Sequence, residues 1–207
     1  MYQANVLTEG ILPSIAIRGI APFPHTDLRI EVGRNVSKRA LLEAEKNYDS
    51  HVLLLIQENP MIDTPTSTNV LDFGVVAKIG IKIKLPNGNY KVKFDPIIRA
   101  ELLQIQQTEP YFLTLFKTMP TIQEDIDQEL ALVRMLAKQV LDNGKNLLKN
   151  PKTSLEAIQT GVSSDKLCDV VTNSLKISEN QKFKYIETAS LNQRLTYLLE
   201  DLEKEKY

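Results

Sequence analysis

The sequence predicts an α+β chain: a β-rich pseudo-barrel subdomain with one packed helix over residues 1–118, then a C-terminal α-helical bundle over residues 119–207. Two observations carry this division. Val75, Ala77, Ile79, Ile81, Ile83 and Leu85 alternate with Lys78, Gly80, Lys82 and Lys84, the two-residue period of a half-buried strand. After Pro120 the composition changes abruptly, and serine or threonine capping signals precede apolar stripes at helical spacing.

In the first half, Ser14–Ile20 and Leu28–Val32 are short apolar segments punctuated by Pro13, Gly19, Pro22, Pro24 and Gly33, as strands separated by turns would be. Ser37 is placed to cap a helix carrying Ala40, Leu41, Ala44 and Tyr48. His51–Gln57 is continuously apolar, which suits a strand covered on both faces, and Asn59–Asn69 is a polar, proline-broken loop. Asn87 and Gly88 accept the positive φ of a tight hairpin turn. A two-residue turn there sets Leu85 opposite Tyr90, Ile83 opposite Val92 and Ile81 opposite Phe94, leaving Lys82, Lys84, Lys91 and Lys93 together on the other face. Ala100–Gln106 and Tyr111–Lys117 read as further strands, and the whole curls toward a barrel.

In the second half, Thr121-x-x-Glu124, Thr153-x-x-Glu156, Ser178-x-x-Gln181 and Ser190-x-x-Gln193 fit the capping box. Ile122, Ile126, Leu130, Val133, Ala137, Val140 and Leu141 predict the buried stripe of a long amphipathic helix, and Asp165 to Leu175 predicts another. Cys168 falls on that second stripe as a buried, unreactive small hydrophobe. The last helix, with Leu191, Leu195, Leu198, Leu199 and Leu202, runs through Glu203–Tyr207 without a stop signal, so the bundle leads into a truncated long helix.

Composition narrows the chemistry. A net charge of −1 exerts no global pull on nucleic acid or anionic lipid, and no apolar run approaches the ~18–20 residues that span a bilayer. One cysteine builds no disulfide framework, and the opening MYQANVLTEG lacks a basic-apolar leader, so a cytoplasmic setting is expected. Gly144-Lys145-Asn146 lacks the earlier glycine and the hydroxyl of a phosphate-binding loop. His25, His51 and Cys168 have no ligand spacing, so no catalytic, cofactor or metal residue is expected. Two surfaces remain as candidates. Phe23, Pro24, Met61 and Ile97 lie in turn-rich segments and could form a substrate-docking patch, whereas Lys82, Lys84, Lys91 and Lys93 could form an anion or partner face. Arg34, Asn87, Gly88 and Arg99 read as structural.

Several of these segments also resemble a known family. GVVAKI at Gly74–Ile79, LPNG at Leu85–Gly88, Val92 and Arg99-Ala100 are similar to the signature hairpin of the N-terminal substrate-recognition domain of Lon-type ATP-dependent serine proteases. Ile15-x-Ile17-Arg18, Phe23-Pro24-His25 and Val32-Gly33-Arg34-x-x-Ser37 are similar to its opening elements. Leu167-Cys168-Asp169, Gln181–Glu187 and Gln193-Arg194-Leu195 with Leu198-Leu199 are similar to its later ones, while Phe94-Asp95-Pro96 departs from the family's V-E-G. The resemblance implies a chain that binds unfolded, damaged or degron-bearing proteins and supports a homohexamer. It also implies that the AAA+ motor with its ATP and magnesium, and the Ser-Lys protease, belong to parts beyond this chain. The alternative is a stand-alone adaptor of the same domain family, with weak nucleic-acid binding by the lysine-rich hairpin as a minor addition. A hydrolase built on an unrecognised carboxylate or histidine has no cluster in the sequence to support it.

Overall fold

Strands need partners before they need side chains, and the computed structural model, which describes residues 8–207, shows how the six strands find theirs. Most of the opening segment examined for a leader lies outside the described residues. The fold is α+β, a β-rich sheet and six helices, dividing into compact units Met1–Pro120 and Thr121–Tyr207.

The first unit contains β1 (Glu9–Ile17), β2 (Leu28–Val32), α1 (Asn35–Asn47), β3 (His51–Gln57), β4 (Val70–Lys84), β5 (Tyr90–Gln107) and β6 (Phe112–Thr118). The strand order is β2-β5-β4-β3-β1-β6, and β5 also pairs with β6, so five strands close into a ring with β2 added at one flank. β5 is long enough to serve both neighbours: Tyr90–Phe94 pairs with β2, and Ala100–Gln107 pairs with β6. The segment expected as a separate strand at Ala100–Gln106 is therefore the continuation of β5.

Burial follows the alternation. β3 is buried throughout: Val52 and Leu54 join α1's Ala40, Leu41 and Ala44, while Leu53 and Leu55 join Leu12, Val76, Ala100, Phe112 and Phe116 from the ring strands. The helix begins three residues earlier than expected, because Arg34 takes the extended N-cap conformation and Ser37 is buried in the first turn instead of capping it. Asp49 and Ser50 then turn the chain into β3 with φ of 49° and 60°. Side chains with a Cβ pay for that left-handed geometry. Ser50→Gly is expected to raise stability by about 0.5–1 kcal/mol in urea unfolding; a neutral or destabilising result would mean the Ser50 side chain contributes more than the backbone costs.

The second unit contains α2 (Ile126–Leu147), α3 (Pro151–Thr160), α4 (Ser164–Asn173), α5 (Glu179–Glu187) and α6 (Leu191–Lys204). Ser178 forms a complete capping box with Gln181, and Ser190 accepts from the Gln193 amide. The two threonine boxes do not form. Asp125 caps α2 instead, because the Thr121 hydroxyl is engaged with Asp165 and Arg194, and α3 starts on Pro151, whose fixed φ suits a first helical position. The α2 stripe is also corrected. Its buried positions are Glu129, Leu136, Val140, Gly144 and Leu147, and most of the expected stripe faces outward. The last helix closes at Lys204, where the Glu205 amide donates to the Asp201 carbonyl at 3.2 Å. Cys168 is buried in α4. Among the described residues, no helix is long and apolar enough to cross a membrane.

Candidate functional site

The hairpin joining β4 to β5 decides which side chains meet the solvent. Its turn is a three-residue loop, Pro86-Asn87-Gly88, closed by the Leu85 amide donating to the Asn89 carbonyl at 2.8 Å, with Gly88 at φ 85°. Asn87 Oδ1 accepts from the Asn89 amide at 3.0 Å. The side chains of Asn89 and Asn87 both donate to Glu31 on β2, at 3.0 and 3.3 Å, and hold its carboxyl below the usual carboxylate range. The resulting pairs are Lys84 with Tyr90, Ile83 with Lys91, Lys82 with Val92 and Ile81 with Lys93, one residue out of the expected register. A bulge at Gly80 shifts the register once more, so that Ile79, instead of the expected Ile81, lies opposite Phe94.

A one-residue slip exchanges the faces of a strand. The four lysines therefore do not form a ladder. Lys82 lies over the Tyr90 ring, 4.7 Å from its centroid, and is salt-bridged to Glu45 on α1. Lys84 shares that face, while Lys91 and Lys93 lie on the other, where Lys93 is 3.5 Å from Asp95. Ile81 and Ile83 are turned outward with them, 59% and 55% exposed. Directly opposite residues share a face, so β2 extends these rows: Ile81, Lys93 and Arg29 form one, and Ile83, Lys91 and Glu31 the next. The two isoleucines with Arg29, Lys91 and Lys93 line a shallow depression of about 170 Å³. The alternation of β4 predicts both isoleucines on the apolar face of the hairpin, and the register slip turns them out as an apolar pair in a cationic frame.

The docking patch expected from turn-rich segments does not assemble as drawn. Phe23 and Pro24 are buried: the Phe23 carbonyl accepts from the Thr26 hydroxyl at 2.8 Å, folding the proline-rich loop inward. Proline is excluded from a sheet ladder by its missing N–H, but nothing excludes it from a core. Ile97 is half-buried against the ring cluster, and Met61 alone of the four is strongly exposed. Arg34 donates to the Ala16 carbonyl at 3.3 Å, Gln57 Oε1 at 3.0 Å and the Ile62 carbonyl at 3.1 Å, joining β1, β3 and the following loop beside a cleft of about 570 Å³. Burial and the neighbouring Arg18 lower its pKa from the usual guanidinium value. Arg99 is buried in β5 opposite Val75, and its carbonyl accepts from the Met119 amide at 2.8 Å.

Comparison with known proteins places these features. Residues 11–204 match the family model of the ATP-dependent protease La (LON) substrate-binding domain. The chain belongs to this family. It is 34% identical over 193 residues to the Lon protease of Aster yellows witches'-broom phytoplasma (strain AYWB), covering 93% of this chain and 24% of that protein. It is 31% identical over 192 residues to Lon protease 1 of Hydrogenovibrio crunogenus, covering 92% and 23%. The chain thus spans about a quarter of the length of these curated relatives. In fold it resembles the N-terminal domain of Mycobacterium avium complex Lon protease, with a TM-score of 0.74 at 15% identity, covering 94% of this chain and 98% of that one. The Lon N-terminal domain protein of Xanthomonas campestris gives 0.59 at 11% identity, covering 92% and 97%.

Within this Lon substrate-binding domain, two distant sequence elements meet. Arg194 of α6 is fully buried and donates to Asp165 at 2.9 Å, Asp169 at 3.2 Å and the Thr121 hydroxyl at 3.0 Å. Gln193-Arg194-Leu195 and Leu167-Cys168-Asp169, each a weak resemblance alone, are the two sides of one ion pair. Nearby in the same unit, the Tyr185 hydroxyl donates to Asp201 at 2.6 Å and Lys184 lies 2.9 Å from the same carboxylate oxygen. Burial pushes the Tyr185 phenol well up. It also opposes ionisation of Asp201, but the hydrogen bonds from Tyr185 and Lys184 outweigh it and keep that carboxyl below its ordinary value. These groups hold the Lon domain's helices in place.

Proposed function

We propose that this Lon-family chain reads other polypeptides, binding unfolded, damaged or degron-bearing proteins at the outward face of the β4–β5 hairpin. One observation carries the reading: Ile81 and Ile83 stand side by side on a solvent-facing strand, in rows completed by Lys93, Lys91 and Arg29. An extended segment laid across these rows would bury both isoleucines and keep its own polar groups near the cations. Fully burying an aliphatic side chain is worth about 1.5–3 kcal/mol, so two half-exposed isoleucines contribute about 2 kcal/mol, which describes a weak single contact. Several copies in a homohexamer would raise effective concentration enough to make such a contact useful.

On the same reading the domain is non-enzymatic, the protein is cytoplasmic, and ATP, magnesium and Ser-Lys cleavage belong to other parts of the parent. The closed five-strand ring is the pseudo-barrel that presents the hairpin, and the second unit is the helical bundle. A stand-alone adaptor would use the same face. The nucleic-acid alternative draws no support from the lysines, which divide between two faces with Lys82 and Lys93 next to carboxylates.

Titrating the chain with a reduced, carboxymethylated polypeptide and with the same protein in its folded form tests the assignment. The unfolded form is expected to bind, and Ile81→Ser with Ile83→Ser to weaken it about thirtyfold, without changing the urea midpoint of the domain. Unchanged affinity in the double variant would remove the hairpin face as the docking site.

A further inference from the structure

The displaced stripe of α2 is an apolar feature that the substrate proposal leaves unused. Ile126, Leu130 and Leu141 are 64%, 45% and 61% exposed, with half-buried Val133 and Ala137 between them on the same side of the helix. The rest of the unit covers a different line of this helix, through Leu136, Val140 and Leu147. An exposed apolar line of this size is often functional.

Its layout specifies the partner. Positions 126 and 141, and positions 130 and 137, are equidistant from the midpoint between Val133 and Arg134. Two copies laid antiparallel about that midpoint place Ile126 against the other Leu141, and Leu130 against the other Ala137, large against small. Charge follows the same symmetry. Asp125 and Asp127 mark the start of α2, whereas Arg134, Lys138 and Lys145 dominate its later turns. An antiparallel partner brings Asp127 beside Lys138 twice over, and the two helix dipoles oppose favourably. A surface complementary to its own image is the mark of a two-fold contact.

We propose that α2 is a homotypic docking surface through which two copies of this chain pair antiparallel about Val133 and Arg134. The pairing does not depend on the hairpin reading, since it uses a different element in a different unit. The contact is small: the stripe exposes on the order of 400 Å², so a pair buries roughly 800 Å², in the range of weak and transient interfaces. Arg134 also lies beside the axis, near its own counterpart. The association is therefore concentration-dependent.

Sedimentation of the 207-residue chain from about 10 μM to about 1 mM should show monomer passing to dimer. Leu130→Asp and Leu141→Asp, both at exposed positions, are each expected to move the midpoint up by about tenfold or more while far-UV circular dichroism stays unchanged. Asp127→Lys and Lys138→Asp should each weaken the dimer, and the two together should restore it, which a merely adhesive surface would not do. In a Cys168→Ala background, Arg134→Cys should form a disulfide-linked dimer on mild oxidation, because its position adjoins the axis. A chain that stays monomeric throughout, or a dimer indifferent to Leu130→Asp, or failure of the charge exchange to restore pairing, would overturn the proposal.

Discussion

Replacing Arg194 with alanine is expected to cost about 3–5 kcal/mol, measured as the loss in urea stability of the Thr121–Tyr207 unit. The guanidinium has no solvent to lose it to: it is fully buried, and Asp169, which receives one of its bonds, is buried as well. Removing the cation strips Asp165, Asp169 and Thr121 of a shared donor and leaves an under-compensated carboxylate inside the helices. Arg194→Lys should recover part of the loss, since an ammonium restores charge but cannot reproduce a planar fork reaching three oxygens. A loss below about 1 kcal/mol for Arg194→Ala would show that the pair is retained for something other than stability.

The second large effect is expected at Gly74. A Cβ added there would sit 2.3 Å from the Leu54 carbonyl oxygen, and that oxygen belongs to backbone fixed in the β3–β4 ladder. Neither strand can yield without opening the ring, so Gly74→Ala is expected to cost about 3 kcal/mol, read as a fall in the unfolding midpoint of the β unit. Gly80 makes the useful contrast. Its nearest obstacle is the Asp95 carboxylate at 3.0 Å, the mobile end of a side chain, although the Lys93 carbonyl at 3.1 Å is less forgiving. If Gly74→Ala proved no worse than Gly80→Ala, the close approach of β3 and β4 would not be the constraint inferred.

How much of this was legible beforehand depends on which forces write locally. The doubly buried β3 and the Ser178 and Ser190 caps depend on neighbours in sequence and are found where the residues place them, and the alternation of β4 holds only as far as Ile79. The hairpin face was misassigned by one residue. Leu85-Pro86-Asn87-Gly88 contains the cue, since proline second and glycine fourth suit a turn that ends on a left-handed glycine and closes a three-residue loop. Gly80, a glycine inside a strand, marks the bulge that compensates for it. The α2 stripe failed for a different reason. The helix carries two apolar lines, and periodicity alone does not say which one the neighbouring helices cover. The Arg194 network is non-local, joining residues from three segments, and only the family resemblance pointed toward both of its sides.

The ring also constrains the order in which the molecule comes into being. Its closing seam joins Glu9–Ser14 to Phe112–Lys117, so the first strand translated waits for the last of its unit. At ~5–20 residues per second, that wait lasts several seconds, with strand edges unsatisfied and the apolar lining open to other nascent chains. The half of this chain that leaves the ribosome first thus spends those seconds with its seam open and its apolar lining exposed to misassembly.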